Sequence, residues 1–235
     1  YECRVELHLI FNAILYKLHT GCQWAKLPVV SLLEFVQGKL SWWAVYYHFR
    51  KWSKDGSLEA VFRQSILSIQ EELDLSEVNL DGSHTLAKKG GENVVYQGRK
   101  KAKTSNLLAL TEACGFIIGI CQLLPGNHND TFNLKAALAR SFKTVKHLGL
   151  HIKGALFNAD AGFDIQVTRK VCFNHGLIPN IPENVRNRKK TKPGPKHLFN
   201  KDVYKPRFVM ERSFAWQDIE GEFAYIRQNL IYLAG

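Results

Sequence analysis

The sequence predicts a mixed α/β sheet flanked by helices and preceded by a small all-helical N-terminal domain. Three observations carry this. Residues 1–75 repeat apolar side chains at helical spacing and are rich in Trp. From residue 76 the pattern changes to short apolar runs that alternate with helical segments. Two of those runs end on an acid, Asp81 and Asp160.

In the first part, Val5, Leu9, Phe11, Ile14, Leu15 and Leu18 fall at helical spacing and Gly21 is the stop. Gly21 to Pro28 reads as a turn carrying Trp24, and Leu32 to Val36 as a short helix. Ser41 is placed to cap a helix through Trp52, with Trp42, Val45, Phe49 and Trp52 on one side. Trp42, Trp43 and Trp52 are read as core. Gly56 interrupts, and Leu58 to Leu73 form a further amphipathic helix.

In the second part, Val78 to Asp81 predicts a short strand and residues 82–102 a polar, basic loop. Thr104 to Ala113 and Phe116 to Leu124 are apolar runs split by Cys114-Gly115, which predicts a hairpin. Asp130 or Thr131 would cap a helix over 132–147. Gly154 to Asn158 predicts a buried strand, Asp164 the start of a helix through Asn174, and Leu177 to Ile181 a last strand. Residues 183–203 predict a flexible basic loop, and Tyr204 to Gln217 a helix. A hairpin gives antiparallel pairs and the later helical crossovers give parallel ones. An RNase H-like core has this order of elements. The expected domains are 1–75 and 76–235.

Composition narrows the function. There are 32 Lys and Arg against 21 Asp and Glu, a formal charge of +11, which favours a polyanion and nucleic acid first. No run of about 18 uncharged apolar residues occurs and Tyr1 to Arg4 does not open a signal peptide, so a cytoplasmic protein without membrane contact is expected. The five Cys are odd in number and form no CxxC, which argues against a disulfide framework or a zinc knuckle. Reduced, buried cysteines are expected.

The acids carry the chemistry. Asp81 and Asp160 each follow the end of an apolar strand, so neighbouring strands would bring both carboxylates to one edge. A third acid, Glu211, lies on a helix after the basic loop. Converging carboxylates repel unless a divalent cation sits between them, and Mg²⁺ prefers such oxygen donors. Two such ions about 4 Å apart can activate a nucleophile and stabilise the leaving oxygen of a phosphodiester. Strand-end Asp residues also cap helices, and Arg207 with Glu211 has the spacing of a surface ion pair.

Here the motifs become specific. Asn79-Leu80-Asp81-Gly82-Ser83-His84 is similar to the first-Asp motif of bacterial insertion-sequence DDE transposases. Asn158-Ala159-Asp160-Ala161-Gly162-Phe163-Asp164 resembles their second motif, and Tyr204, Arg207, Glu211, Arg212, Phe214 and Trp216 their third. Gly98 to Thr104 and Pro125 to Asp130 resemble intervening segments of the family. Gly21 to Trp24 with Leu27-Pro28, then Trp42 to Trp52, resembles the helical domain that precedes the catalytic core in the insertion sequence five group. The resemblance implies an RNase H-like DDE catalytic domain with Asp81, Asp160 and Glu211 as catalytic metal ligands and Mg²⁺ or Mn²⁺ as cofactor. It implies cleavage at transposon ends and attack of the freed 3′-hydroxyl on target DNA. Tyr204 and Arg207 would assist near the DNA or the metal, with His128 and Asp130 nearby. The sequence departs from the family's pattern at Ala161, where Lys is usual, and at Asp218, where a basic residue is usual.

DNA contacts are expected from two basic clusters. Arg99, Lys100, Lys101 and Lys103 form one; Arg186, Arg188, Lys189, Lys190, Lys192 and Lys196 form the other. Both would supply affinity through phosphates rather than read sequence. The expected partners are the terminal inverted repeats and target DNA, with a homodimer as the assembly and the nucleoid as the location. The N-terminal helices would serve DNA-end binding or dimerisation. A nuclease without strand transfer and a non-catalytic DNA-binding protein are the other two readings.

Overall fold

The computed structural model describes residues 5–29, 40–86, 94–184 and 197–219, with side chains to residue 215. The chain divides into two compact units, residues 1–64 with 216–235 and residues 65–215.

The first unit is helical. α1 (Leu7–Thr20) ends at Gly21, whose φ of 64° is the left-handed cap expected of a glycine there. A 3-10 turn, Trp24–Lys26, follows. α2 (Trp42–Lys54) begins where Ser41 Oγ accepts the Ala44 N–H at 3.3 Å. Ile10, Ala13 and Ile14 of α1 pack with Val45 and Phe49 of α2 and with Leu27 and Val29. Trp24, Trp42 and Trp52 lean on this core, whereas Trp43 is exposed, correcting its assignment to the interior. Trp43 leaves the buried stripe because it lies one residue, about 100° of helix, past Trp42. Replacing Ser41 by Ala removes one cap acceptor and is expected to cost about 1 kcal/mol, measured by urea unfolding.

α3 (Ser57–Ser68) buries Ile66 alone, and a 3-10 turn at Gln70–Glu72 replaces the helix expected to reach Leu73. The helix expected over Leu32 to Val36 lies outside the described residues.

The second unit is a six-stranded mixed sheet. Its strands are β1 (Glu77–Leu86), β2 (Val95–Gln97), β3 (Ala102–Glu112), β4 (Ile117–Pro125), β5 (Leu156–Ala159) and β6 (Ile178–Asn180). The order is β2-β3-β1-β5-β6, with β4 also paired to β3. β3 is antiparallel to β1, β2 and β4, whereas β5, reached by helical crossovers like β6, is parallel to both β1 and β6. This is the RNase H-like arrangement.

β1 does not stop at Asp81. It continues through Gly82, Ser83, His84 and Thr85, which pair with Leu108 to Ser105 of β3. The polar composition suggested a loop, but β3 offers a full ladder of backbone partners, and β2 adds a short strand within the same stretch.

α4 (Leu134–His147) and α5 (Gln166–Asn174) supply the two crossovers. Phe142 of α4 meets Phe157 of β5 edge-on at 6.1 Å, and Leu80, Leu108, Leu110 and Ile118 are fully buried. Neither expected side-chain cap forms. Asn133 precedes α4, and Asp130 instead accepts from Asn106 Nδ2 at 2.6 Å. Asp164 instead pairs with buried Arg169 at 2.9 Å, and Arg169 donates to the Ile181 carbonyl. α6 (Lys201–Tyr204), a 3-10 turn at Lys205–Phe208 and α7 (Val209–Ile219) replace the single helix expected from Tyr204. Pro206 lies at the start of the 3-10 turn, where its missing N–H is tolerated.

Two of the four described cysteines, Cys121 and Cys172, are buried, and burial pushes both thiols up to about 12. Cys114 is exposed in the hairpin turn, against the expectation of burial. No helix among the described residues is long and apolar enough to cross a membrane.

Candidate active site

Strand pleat and register decide which acids meet. Leu80 of β1 pairs with Ala159 of β5 in parallel, so Asp81 and Asp160 leave the two strands at one level. Residues directly paired across strands share a face. Asp81 pairs with Ala109, and Ala109 packs with Leu107, Met210 and Phe214, so Asp81 lies on the face that α7 covers. Leu80 and Leu110 lie on the other face.

The carboxylates are anchored by backbone. Asp81 Oδ1 accepts from Gly82 N at 2.9 Å, and Asp160 Oδ1 from Gly162 N at 2.8 Å. Arg207 Nη1 donates to Asp81 Oδ2 at 2.9 Å, with side chains 18% and 19% exposed. The guanidinium also lies 5.3 Å from the centre of the Tyr204 ring. Asp81 and Arg207, 126 positions apart in sequence, therefore meet at the site itself.

Burial pushes the Asp81 carboxyl above its ordinary value; Arg207 and the Gly82 N–H pull it down, and Asp160 and Asp130 push it up again. Burial works against the charge of Arg207, but Asp81, Tyr204 and Asp160 outweigh it and hold the guanidinium more firmly protonated. Burial also raises the Tyr204 phenol. Truncating Arg207→Ala would leave Asp81 half-buried without its cation. The expected cost at pH 7 is about 1–3 kcal/mol. The sign with pH follows from the raised carboxyl: losing Arg207 raises it further, so acidification protonates Asp81 and relieves the unpaired charge. The Tm difference from wild type is expected to shrink between pH 7 and pH 5.

Glu211 follows Arg207 by four residues on α7 and is exposed. Met210 and Phe214 take the sheet-facing positions, and the charges acting on Asp81 are Arg207, Asp160 and Asp130. Asp81 and Asp160 thus stand together and Glu211 stands apart. Among the described residues no three His, Cys, Asp or Glu side chains form a metal-holding group. The pair alone suits a hard divalent cation: both are oxygen donors, and they repel one another.

Asp130 lies against Gly82, where a Cβ would come within 2.5 Å of Asp130 Oδ1. It reaches the site from the opposite face of the sheet. His128 stacks on Phe132 at 3.9 Å and His175 packs on Phe142 at 4.8 Å.

Arg99, Lys100 and Lys101 are exposed at the turn between β2 and β3 and Lys103 at the start of β3, and Lys100 Nζ donates to the His84 carbonyl at 3.1 Å. Beside them is a cleft of about 320 Å³ lined by His84, Tyr96, Arg99, Asn127, His128 and Asp130, among others. Arg186, Arg188, Lys189, Lys190, Lys192 and Lys196 lie outside the described residues.

Sequence reasoning missed a row of amides beside the acids. Asn79 and Asn158 each stand two residues before an Asp and are buried. Asn158 Nδ2 donates to Asn79 Oδ1 at 3.0 Å. The repeated Asn-x-Asp on both strands was the signal available.

Known proteins bear on this geometry. The model of the DDE superfamily endonuclease matches residues 73–232, and one described as a transposase of the IS4/5 family matches residues 2–62. The Mos1 transposase paired-end complex with left transposon end is similar at a TM-score of 0.34 and 13% identity, over 76% of this chain and 59% of that one. The crystal structure of the Mos1 strand transfer complex is similar at 0.39 and 10%, over 100% of this chain and 75% of that one. Both likenesses are remote, and the chain spans 59% of the length of the first. No curated protein matches. The first family model alone spans more than half of the chain. The chain belongs to the DDE superfamily of endonucleases.

Proposed function

We propose that the chain is a transposase that cuts DNA at transposon ends and joins the freed 3′-hydroxyl to target DNA. The observation that carries this is that Asp81 and Asp160 each follow directly on the parallel Leu80–Ala159 pair, which brings the two carboxylates close enough to repel. Membership of the DDE superfamily implies divalent-metal dependence. Mg²⁺ or Mn²⁺ would be held by Asp81 and Asp160, with Glu211 joining from α7. The ion would activate the attacking hydroxyl and neutralise charge on the scissile phosphate.

The chain's own residues then divide the work. Asp81 holds charge at a fixed position on β1, and Asp160 does so at the end of β5, where the Gly162 N–H anchors it. Arg207 neutralises Asp81 and, on cation binding, is positioned to turn to a phosphate oxygen. Tyr204 flanks it with an aromatic face. Arg99, Lys100, Lys101 and Lys103 hold the DNA backbone, as would Arg186, Arg188, Lys189, Lys190 and Lys192 of the second cluster.

Residues 1–75 form the part that binds DNA ends or pairs two copies into a homodimer, and residues 76–235 the catalytic part. The protein acts at the nucleoid, in the cytoplasm.

The test is a strand-transfer assay on the element's own terminal DNA, with Mg²⁺ or with EDTA. Joined products with Mg²⁺ alone support the reading. Cleavage without joining would make the chain a nuclease. Bound but uncut DNA would make it a non-catalytic binder.

A further inference from the structure

Beside the two carboxylates, on the same face of the sheet, runs a line of side-chain amides. Asn79 Nδ2 donates to the Glu112 carbonyl at 3.3 Å. Asn158 Nδ2 donates to Asn79 Oδ1 at 3.0 Å and to Glu77 Oε2 at 2.9 Å. Asn180 Nδ2 donates to Asn158 Oδ1 at 2.7 Å. The line thus crosses from β3 over β1 and β5 to β6.

The last rung leaves the sheet. Asn200 N–H donates to Asn180 Oδ1 at 2.7 Å, and Asn180 Nδ2 donates to the Asn200 carbonyl at 3.1 Å. The sense of the whole line is fixed by its ends. A backbone N–H can only donate, so Asn180 must present oxygen to it and nitrogen to Asn158; the carbonyl of Glu112 at the far end can only accept.

Asn200 is also the N-cap of α6: its Oδ1 accepts from Asp202 N at 3.0 Å and Val203 N at 3.2 Å. Tyr204 N–H donates to the Asn200 carbonyl at 3.2 Å. Three residues on, Arg207 reaches Asp81 at 2.9 Å. The amides therefore join the strands of both acids to the start of the segment that carries Tyr204 and Arg207.

Asn79, Asn158 and Asn180 are 1%, 0% and 2% exposed. Apolar side chains would fill a sheet face without the desolvation cost of amides. What amides add is direction and register, because a shifted strand leaves them unpaired in a dry interior.

We propose that the Asn79–Asn158–Asn180–Asn200 line positions the Arg207 guanidinium at the Asp81 carboxylate by docking the N-terminus of α6 on the sheet. It rests on the reading of Asp81 as catalytic for its bearing on rate, and stands on the geometry alone for its bearing on Arg207.

The experiment uses the full chain with three substitutions. Asn180→Leu removes the amide while keeping its branched heavy-atom skeleton. Asn200→Pro works from outside the interior, taking away the N–H that meets Asn180. Asn200→Ser keeps both the N–H and a capping oxygen. The first readout is the ¹⁵N–¹H signal of the Arg207 Nε–H, which reports its contact with Asp81 without any need for activity. In Asn180→Leu and Asn200→Pro it is expected to move toward its position in Asp81→Asn; in Asn200→Ser it should stay.

The second readout is DNA cleavage. In the first two variants kcat is expected to fall about 10- to 100-fold with KM for DNA unchanged. That fall should vanish in an Arg207→Ala background, because the line acts through Arg207. An Arg207 signal that stays in place in folded Asn200→Pro would overturn the proposal, as would a loss of kcat equal in both backgrounds. If wild type cuts no DNA, the transposase reading fails, and the Arg207 signal still decides the positioning role.

Discussion

Asp160→Asn is expected to lower both cleavage and joining by about 10³-fold or more, roughly 4 kcal/mol of transition-state stabilisation. The fold should be unaffected. Asn keeps an oxygen for the Gly162 N–H, which Asp160 Oδ1 now accepts at 2.8 Å. It also removes a charge that repels Asp81, so Asp81 should ionise more easily. DNA should bind as tightly or more tightly, since the phosphates meet one negative charge fewer. Tm within the range of a neutral surface change, intact DNA affinity and lost strand transfer together would assign Asp160 to the metal. Retained activity would remove Asp160 from the catalytic set.

The second large effect concerns stability. Phe157→Ala is expected to cost about 3–5 kcal/mol, because the ring is fully buried and its removal leaves a cavity. β5 is only four residues long, so Phe157 supplies much of its apolar packing. Phe142 on α4 loses its edge-on partner at the same time. For a chain of this size Tm should fall by on the order of 10 °C, read by calorimetry. A fall below about 2 °C would mean that α4 collapses onto the sheet and refills the space.

The succession of the main strands and helices along the chain was legible because buried strands read as apolar runs and their spacing admits helical crossovers. Asp81 and Asp160 were legible for the same reason: each follows such a run. The extension of β1 through Gly82 to Leu86 was not, since half-exposed strands with a polar face resemble loops. The amides at Asn79, Asn158 and Asn180 were hidden because a polar residue inside a strand acquires meaning only from the strand beside it. On one continuous helix, Tyr204, Arg207 and Glu211 have the spacing of a shared face. The 3-10 turn at Lys205–Phe208 breaks that phase, and Met210, not Glu211, takes the position against the sheet. The ion pair between Arg207 and Asp81 spans too much sequence for any local pattern to announce it.

Gly82 gives the sheet a thin place. With no side chain there, Asp130 lies against one face while Asp81, the neighbouring residue, points from the other. The strand acts like the dielectric of a small capacitor with negative charge on both plates. Dissolved salt does not enter the backbone between them, so their repulsion is poorly screened. A divalent cation arriving at Asp81 is drawn by an anion it never touches. Asp130→Asn should therefore raise the Mg²⁺ concentration for half-maximal cleavage by roughly 3-fold while every proposed ligand stays in place. An unchanged Mg²⁺ titration would mean that the peptide plane shields the two carboxylates from each other's ions.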